Sequence, residues 1–409
     1  MRNKAPSTLA VMAAAALVLA GCSDSGSSSA DVSGGSKDPV KVAFLGTATG
    51  AAGSTGKTTM AVVKAWGRYI NANGGLDGHP VEVIAKDVAG ATGTNVNDAK
   101  EVIGQKVAAI FDLDTGDTQW VKLAEQARIP VIAASSIAPL ISTNVFPVIN
   151  GGNAQTYQVV EAAKKLGDKF AIGYAAEVPL SAQYATQMAT LGKQAGVSVV
   201  VSSKLSASQP DYTAFCQLVK DSGAKSYILS LSTPIAQKVT DQCWQQGVEI
   251  PQVIFGGQTP RSWLTDPAYQ GALAQDITAP FFDDKAAGVA SYRTAMKKYL
   301  PDLLGSGDDS SAGTTGWAMG KMLEFAVEHG GGVTSDDIRK GLYAAKDETL
   351  DGLIAPVTYA EGETTHVPCG FLWTIKDKDF ALTDAGAKPV CAPESAVKKL
   401  DDQLAKSLG

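Results

Sequence analysis

The stretch Val42 to Met60, VAFLGTATGAAGSTGKTTM, has the residue types of a phosphate-binding loop: an apolar run, a glycine-rich turn, then Gly-Lys-Thr and a helical pattern. In such a loop backbone N–H groups cradle phosphates and the lysine reaches the terminal ones. Here the spacing is off by one. With Gly56 before Lys57, the motif asks for a glycine at position 51, where Ala51 stands; the nearest is Gly50. Other chemistry is missing too. There is no G-x-S-x-G elbow and no H-E-x-x-H helix. His79, His329 and His366 are scattered without metal-ligand spacing and read as surface or turn residues. The pattern asks for no cofactor and no metal.

The cysteines say more. Cys216, Cys243, Cys369 and Cys391 form an even set, and four cysteines allow three connectivities. Closeness in sequence favours Cys216–Cys243 and Cys369–Cys391. A Cys₄ zinc site is the rival, but the C-x₂-C pairs usual there are missing. Disulfides belong to oxidising compartments, and the N-terminus agrees. Arg2 and Lys4 precede a 12-residue apolar run, Leu9 to Ala20. That is too short to span a bilayer, which takes about 20 residues, and it reads as a secretory signal over residues 1–21. Its end, Leu19-Ala20-Gly21-Cys22, resembles the bacterial lipobox, in which the cysteine is acylated and becomes the new N-terminus; the plainer reading is a signal peptide with a chance cysteine. Residues 22–38 are Ser- and Gly-rich, too polar to fold, and read as a flexible tether. Acyl chains on Cys22 would hold the protein to the outer face of the membrane. ATP is scarce there, which weakens the phosphate-loop reading.

The composition, 45% hydrophobic and 19% charged, is that of a globular protein long enough for two or three domains. A net charge of −6 argues against a nucleic-acid partner. Strand-like segments, short and rich in Val and Ile, fall at 40–45, 81–86, 107–112, 130–134, 170–175, 198–203, 226–231 and 252–256. Helix-like segments alternate with them at 58–72, 94–105, 117–127, 154–165, 182–194, 211–222 and 234–246. Strict alternation implies parallel sheets covered on both faces. Two series of four strands predict an α/β protein of two doubly wound parallel-sheet lobes. Beyond Phe281 the pattern predicts helices at 313–330 and 335–345, then an antiparallel pair turning at Lys376–Asp379. Open parallel sheets bind ligands beyond the carboxyl ends of their strands, so two facing lobes make a cleft.

Four stretches carry a resemblance: VKVAFLGTATGAAGSTGK; INANGGLDGHPVEVIAKDVAG, the most specific; ARIPVIAAS; and QPDYTAF. The chain resembles type I periplasmic binding proteins of the Leu/Ile/Val-binding kind, the solute receptors of ABC importers, over about residues 39–390. The glycine turn then becomes the first ligand-facing loop, with Thr55 in it. The resemblance implies two lobes joined by a hinge, lobe 1 over 39–151 plus 281–356 and lobe 2 over 152–280 plus 357–395, in a monomer that closes on a small molecule about crossings near Asn150–Asn153, Ala279–Phe282 and Pro356–Gly362, and docks on permease subunits.

It also implies a site. Thr115 takes the place of a serine that bonds the ligand carboxylate. Asp114 beside it either takes a ligand cation or caps the helix at Asp117. After the fourth strand stand Ser135, Ser136 and Ile137, with Ile137 in place of a threonine. In the second lobe Glu177 is followed by Pro179 where relatives have a tyrosine, and Gln258 stands where some have an acid. These departures predict a ligand less zwitterionic and more apolar than an α-amino acid, an aromatic or aliphatic acid, with Asp114 and Glu177 leaving a cation open. Thr115, Ser135 and Ser136 also sit where hydroxyls cap helices. Trp120 and Trp244 read as helix packing, with Trp120 near enough to the cleft to stack on a ring. The expected role is therefore a lipid-anchored solute receptor rather than an enzyme. The alternatives are a ligand sensor of the same fold signalling to a membrane receptor, and a secreted hydrolase.

Overall fold

The computed structural model describes residues 37–49, 53–89, 93–135, 137–384 and 386–408. The signal, Cys22 and most of the tether lie outside the described residues. The first sheet is parallel and has five strands: β1 (Val40–Gly46), β2 (Val81–Asp87), β3 (Ala109–Leu113), β4 (Val131–Ala133) and β5 (Val145–Pro147), in the order β2-β1-β3-β4-β5. β1 shows why. Val42 and Phe44 enter one apolar cluster and Ala43 and Leu45 another, so the strand is apolar on both faces, as a sheet covered twice requires. One face takes α1 (Gly53–Ala72); the other takes α2 (Thr94–Gly104) and α3 (Val121–Gln126).

The second sheet repeats that order. It contains β6 (Lys169–Ala175), β7 (Ser198–Leu205), β8 (Ser226–Ser230), β9 (Gln252–Phe255) and β10 (Leu273–Asp276), running β7-β6-β8-β9-β10. β11 (Cys369–Lys376) and β12 (Asp379–Leu382) extend it as an antiparallel pair, and β13 (Val390–Cys391) adds to β11. α4 (Gly152–Leu166) and α5 (Pro179–Ala195) cover one face; α6 (Thr213–Asp221) and α7 (Thr233–Gln245) cover the other. The disulfide Cys216–Cys243 staples α6 to α7, and Cys369–Cys391 joins β11 to β13. Each closes a loop of a size worth about 3 kcal/mol.

The chain then returns. α8 (Ala287–Tyr299) and α9 (Ser311–Gly330) pack on α1, and α10 (Ser335–Leu342) packs on α9, so this stretch completes the first core around Trp66, Trp317 and Phe146. The sheets are joined by residues 148–151, 277–286 and 360–368; Val357 and Tyr359 still belong to the first core, where the Tyr359 hydroxyl donates to Pro147 O at 2.9 Å.

All eight strand-like segments are strands. The segment at 117–127 is not one helix: a 3₁₀ turn, Asp117–Gln119, precedes α3. β5, β10 and α8 fall in stretches without a clear alternation, and a last helix, α11 (Glu394–Leu408), lies beyond the expected elements. It docks on α4 through Asp401. Asp401 Oδ1 accepts from the Asn153 N–H at 2.7 Å and from Asn153 Nδ2 at 2.8 Å, so its carboxylate caps the positive end of α4, and Oδ2 faces His366 Nδ1 at 3.5 Å. Asp401→Ala removes that cap and is expected to cost about 2 kcal/mol in urea unfolding, while Asp401→Asn keeps an acceptor and loses less.

Candidate functional site

In both sheets the connections reverse direction beside the first strand, between β1 and β3 and between β6 and β8. Ligands of open α/β sheets sit at such switch points, off the carboxyl ends of the strands. In the first sheet that place is Thr47 and Asp114–Thr115. In the second it is Glu177 and Ser230–Ser232.

The glycine turn ends in α1, and Gly53 and Gly56 serve packing. A Cβ on Gly56 would lie 1.9 Å from Thr47 O, so the first turn of α1 lies directly against the chain leaving β1. Lys57 is exposed. Thr55, in that same turn, reaches across to the other lobe: its hydroxyl donates to Gly257 O at 3.5 Å. Thr55, Gly257 and Thr233, the first residue of α7, help line a cavity of about 230 Å³.

Asp114 has a structural role. Oδ1 accepts from Thr47 Oγ1 at 3.4 Å and from the Gly116 N–H at 2.9 Å; Oδ2 accepts from Asn95 Nδ2 at 3.0 Å and Trp120 Nε1 at 2.9 Å. At 5% exposure with four donors, it has no oxygen over for a ligand cation. Trp120 is wholly buried in the core beside α2 and α3, so it does not stack on a ligand ring. Trp244 packs at the edge of the cluster around Trp263 and Trp373. Thr115 is exposed at the end of β3, where its N–H donates to Thr47 Oγ1 at 3.5 Å. Ser135 Oγ accepts from the N–H groups of Ile137 and Ala138 at 3.3 and 3.2 Å, capping the 3₁₀ turn Ala138–Leu140. Ser135 also borders a separate cavity of about 260 Å³ beside Pro147, His366 and Asp401. Ile137 is half-buried. Ser136 lies outside the described residues, as do the side chains of Pro179 and Gln258.

Beneath Thr115 lie two more acids, Asp112 and Asp117, both buried. Burial, and then the neighbouring Asp117 charge, push the Asp112 carboxyl well above the usual range; burial pushes Asp117 up to about 7, against the pull of Ser135. No group of acids, histidines and cysteines among the described residues could hold a metal ion.

The largest space at a switch point is a cavity of about 440 Å³ at the ends of β6, β8 and β9, walled by the N-terminal halves of α4 and α5. Glu177 stands at its rim and is exposed. Its Oε1 accepts from Ser206 Oγ at 2.5 Å and from the Ala207 N–H at 3.0 Å, and the Ser206 bond above all holds its carboxyl below the usual range. The walls are mostly apolar: Val178, Leu231, Ile235 and Phe255 toward the mouth, Val159 and Met188 deeper. Val178, at 47% exposure, presents an aliphatic side chain to solvent at this rim. Sequence reasoning missed Ser230, Leu231 and Ser232. Their signal was position, since they follow the third strand of the second series, at the switch point.

Two lobes of one topology, each opening a site at the carboxyl ends of its strands, define a bilobal ligand-binding fold, that of the type I periplasmic binding proteins. The family model described as periplasmic binding protein matches residues 39–379, and the chain belongs to that family. A branched-chain amino acid ABC transporter structure from Thermus thermophilus with bound valine is similar at a TM-score of 0.74, 16% identity, over 90% of this chain and 99% of that one. A fatty acid ABC transporter substrate-binding protein from Thermomonospora curvata is similar at 0.70, 17% identity, over 91% and 95%. A branched-chain amino acid transporter substrate-binding protein from Streptococcus pneumoniae, in complex with isoleucine, is similar at 0.68, 16% identity, over 87% and 100%. No curated protein sequence matches the chain.

Proposed function

We propose that the protein is an extracytoplasmic solute receptor that closes its lobes on a small molecule with an apolar body and hands it to an ABC-type importer. Acylated Cys22 holds it at the membrane, and it works as a monomer. One observation carries the ligand class: the cavity at the second switch point is walled by aliphatic and aromatic side chains, and the one acid at its rim is already engaged by Ser206 and Ala207. An α-ammonium buried there without a charged partner would be costly. The titles of similar structures name valine, isoleucine and a fatty acid, ligands with an apolar body in common. Thr55 and Thr115 offer hydroxyls to the polar end of the ligand from the first lobe, and Ile137 offers it apolar contact. Binding works through the hinge: a ligand that touches both lobes has its higher affinity for the closed form and shifts the population toward it.

A thermal-shift screen of the purified protein against amino acids, aromatic acids and aliphatic acids tests the reading. At 100 times its Kd a ligand adds about 2.7 kcal/mol of stability, which raises the melting temperature visibly. Shifts with aromatic or aliphatic acids support the reading; shifts confined to amino acids, the branched-chain ones included, overturn it.

A further inference from the structure

The large cavity is deeper than the side chain of a branched amino acid requires. On α5 it is bordered by Ser181, Tyr184 and Met188, positions i, i+3 and i+7 on one face of the helix. At 1.5 Å per residue the cavity follows α5 inward for about 10 Å. On α4, Gln155 and Val159 run beside it. The polar lining, Glu177, Ser230 and Ser232 at the strand ends with Gln155, Thr156, Ser181 and Tyr184 on the outer turns of the helices, gives way to an inner wall of Val159 and Met188, which are 1% and 3% exposed and belong to the apolar cluster between the second sheet and these helices. The space is thus of mixed character at the mouth, apolar at its inner end, and elongated between two helices that lie side by side.

Resting on the function proposed above, we propose that this inner branch is a tail subsite for a straight aliphatic chain, and that Met188 sets how long a chain it accepts. The ligand class is then an amphipathic small molecule whose polar end stays in the cleft between the lobes. A three- or four-carbon side chain fills only the mouth, at Val178 and Leu231. A longer chain passes between α4 and α5 and ends against Met188, whose flexible thioether closes the inner wall.

The test is a chain-length series: straight-chain carboxylates from butanoate to dodecanoate and the matching alkylamines, with Kd measured calorimetrically on the purified protein. Two head groups are used so that the choice of head does not decide the reading of the tail. Each buried methylene tightens binding about fourfold until the chain meets Met188, after which affinity stops rising. Met188→Ala is expected to move that length to longer chains, and Met188→Phe, which fills the cavity rather than opening one, to shorter chains. Far-UV circular dichroism identifies the variants that fold. If the wild type shows the methylene gain and a folded variant keeps the wild-type length limit, the tail subsite is wrong while the receptor reading stands. If no member of either series binds the wild type, and apolar acids give no thermal shift, both are wrong.

Discussion

Replacing Asp276 with alanine is expected to cost about 3–4 kcal/mol in urea unfolding, because the change orphans two buried donors at about 1–3 kcal/mol each. Asp276 ends β10, at the point where the chain leaves the second sheet for α8, and is 1% exposed. Its Oδ2 accepts from Trp373 Nε1 at 2.7 Å and its Oδ1 from the Ile277 N–H at 2.8 Å. Burial raises its carboxyl to about 6 despite these donors. The loop Gly256–Gln258 lies on top of it. A Cβ on Gly256 would come within 2.2 Å of Asp276 Oδ2, and one on Gly257 within 3.3 Å of Ser311 Oγ at the start of α9. Asp276 therefore fixes one crossing between the lobes and the loop whose Gly257 carbonyl receives Thr55. Asp276→Asn keeps an acceptor in place and is expected to lose less than half as much. Equal losses for the two variants would mean that the charge, not the hydrogen bonding, is what the site needs.

The residues that make a strand buried on both faces are visible in a sequence, and this is why β1, β3 and β6 were legible. Val40, Val42 and Phe44 alternate with Ala43 and Leu45, and no surface strand could bury both sets. β10 was not legible. Its four residues, Leu273 to Asp276, end in two polar side chains that are buried through partners distant in sequence: Gln275 Nε2 donates to Gln158 Oε1 at 3.2 Å, and Asp276 receives Trp373. The glycine turn was misleading for a related reason. Gly56 is required by the close approach of α1 to Thr47 O, and the same glycine before Lys-Thr imitates a phosphate loop.

The candidate site divided in the same way. Thr55, Thr115 and Glu177 could be proposed because each lies beside the end of a strand, and topology alone puts strand ends at the cleft. Asp114 stands in such a place too, but its partners Asn95, Thr47 and Trp120 come from three other parts of the chain, and only their convergence shows that its oxygens are occupied. Val159 and Met188 were hidden by their own regularity. An apolar residue at helical spacing is core by default, and a wall that faces an empty space has the same pattern as one that faces a neighbour.

The second large effect is on pH dependence, and its source lies just beneath Thr115. Asp112 Oδ2 and Asp117 Oδ2 are both buried with no other partner. The two carboxyls are neighbours, since each acts on the other's ionisation. A proton on Asp112 shared with Asp117 satisfies both oxygens and removes one of two like charges from the interior, and Asp117 takes a second proton at lower pH. Asp112 Oδ1 is already engaged by the Asp114 N–H at 2.9 Å, so the pair is held in place by the turn that leaves β3.

The sign follows from linkage. In the unfolded chain both acids ionise near the ordinary value of 3.8, whereas in the folded protein Asp117 holds its proton to about 7 and Asp112 to well above the usual range. Between those limits the folded state binds more protons than the unfolded one, so stability falls as pH rises. The loss begins above about pH 4 and, for Asp117, is complete a little above pH 7. At about 1.36 kcal/mol per pH unit, the pair makes this a loss of several kcal/mol. Asp117→Asn cannot ionise and still presents an oxygen and an N–H to Asp112 and Ser135. That variant is expected to lose the part of the slope that Asp117 supplies, Asp112 keeping its own, and to be more stable than the wild type at pH 8 by about 1–3 kcal/mol. Urea titrations of both proteins at pH 4.5, 6 and 8 decide the matter. Parallel pH profiles would show that Asp117 is already ionised in the folded protein at pH 4.5, and that the slope has another source.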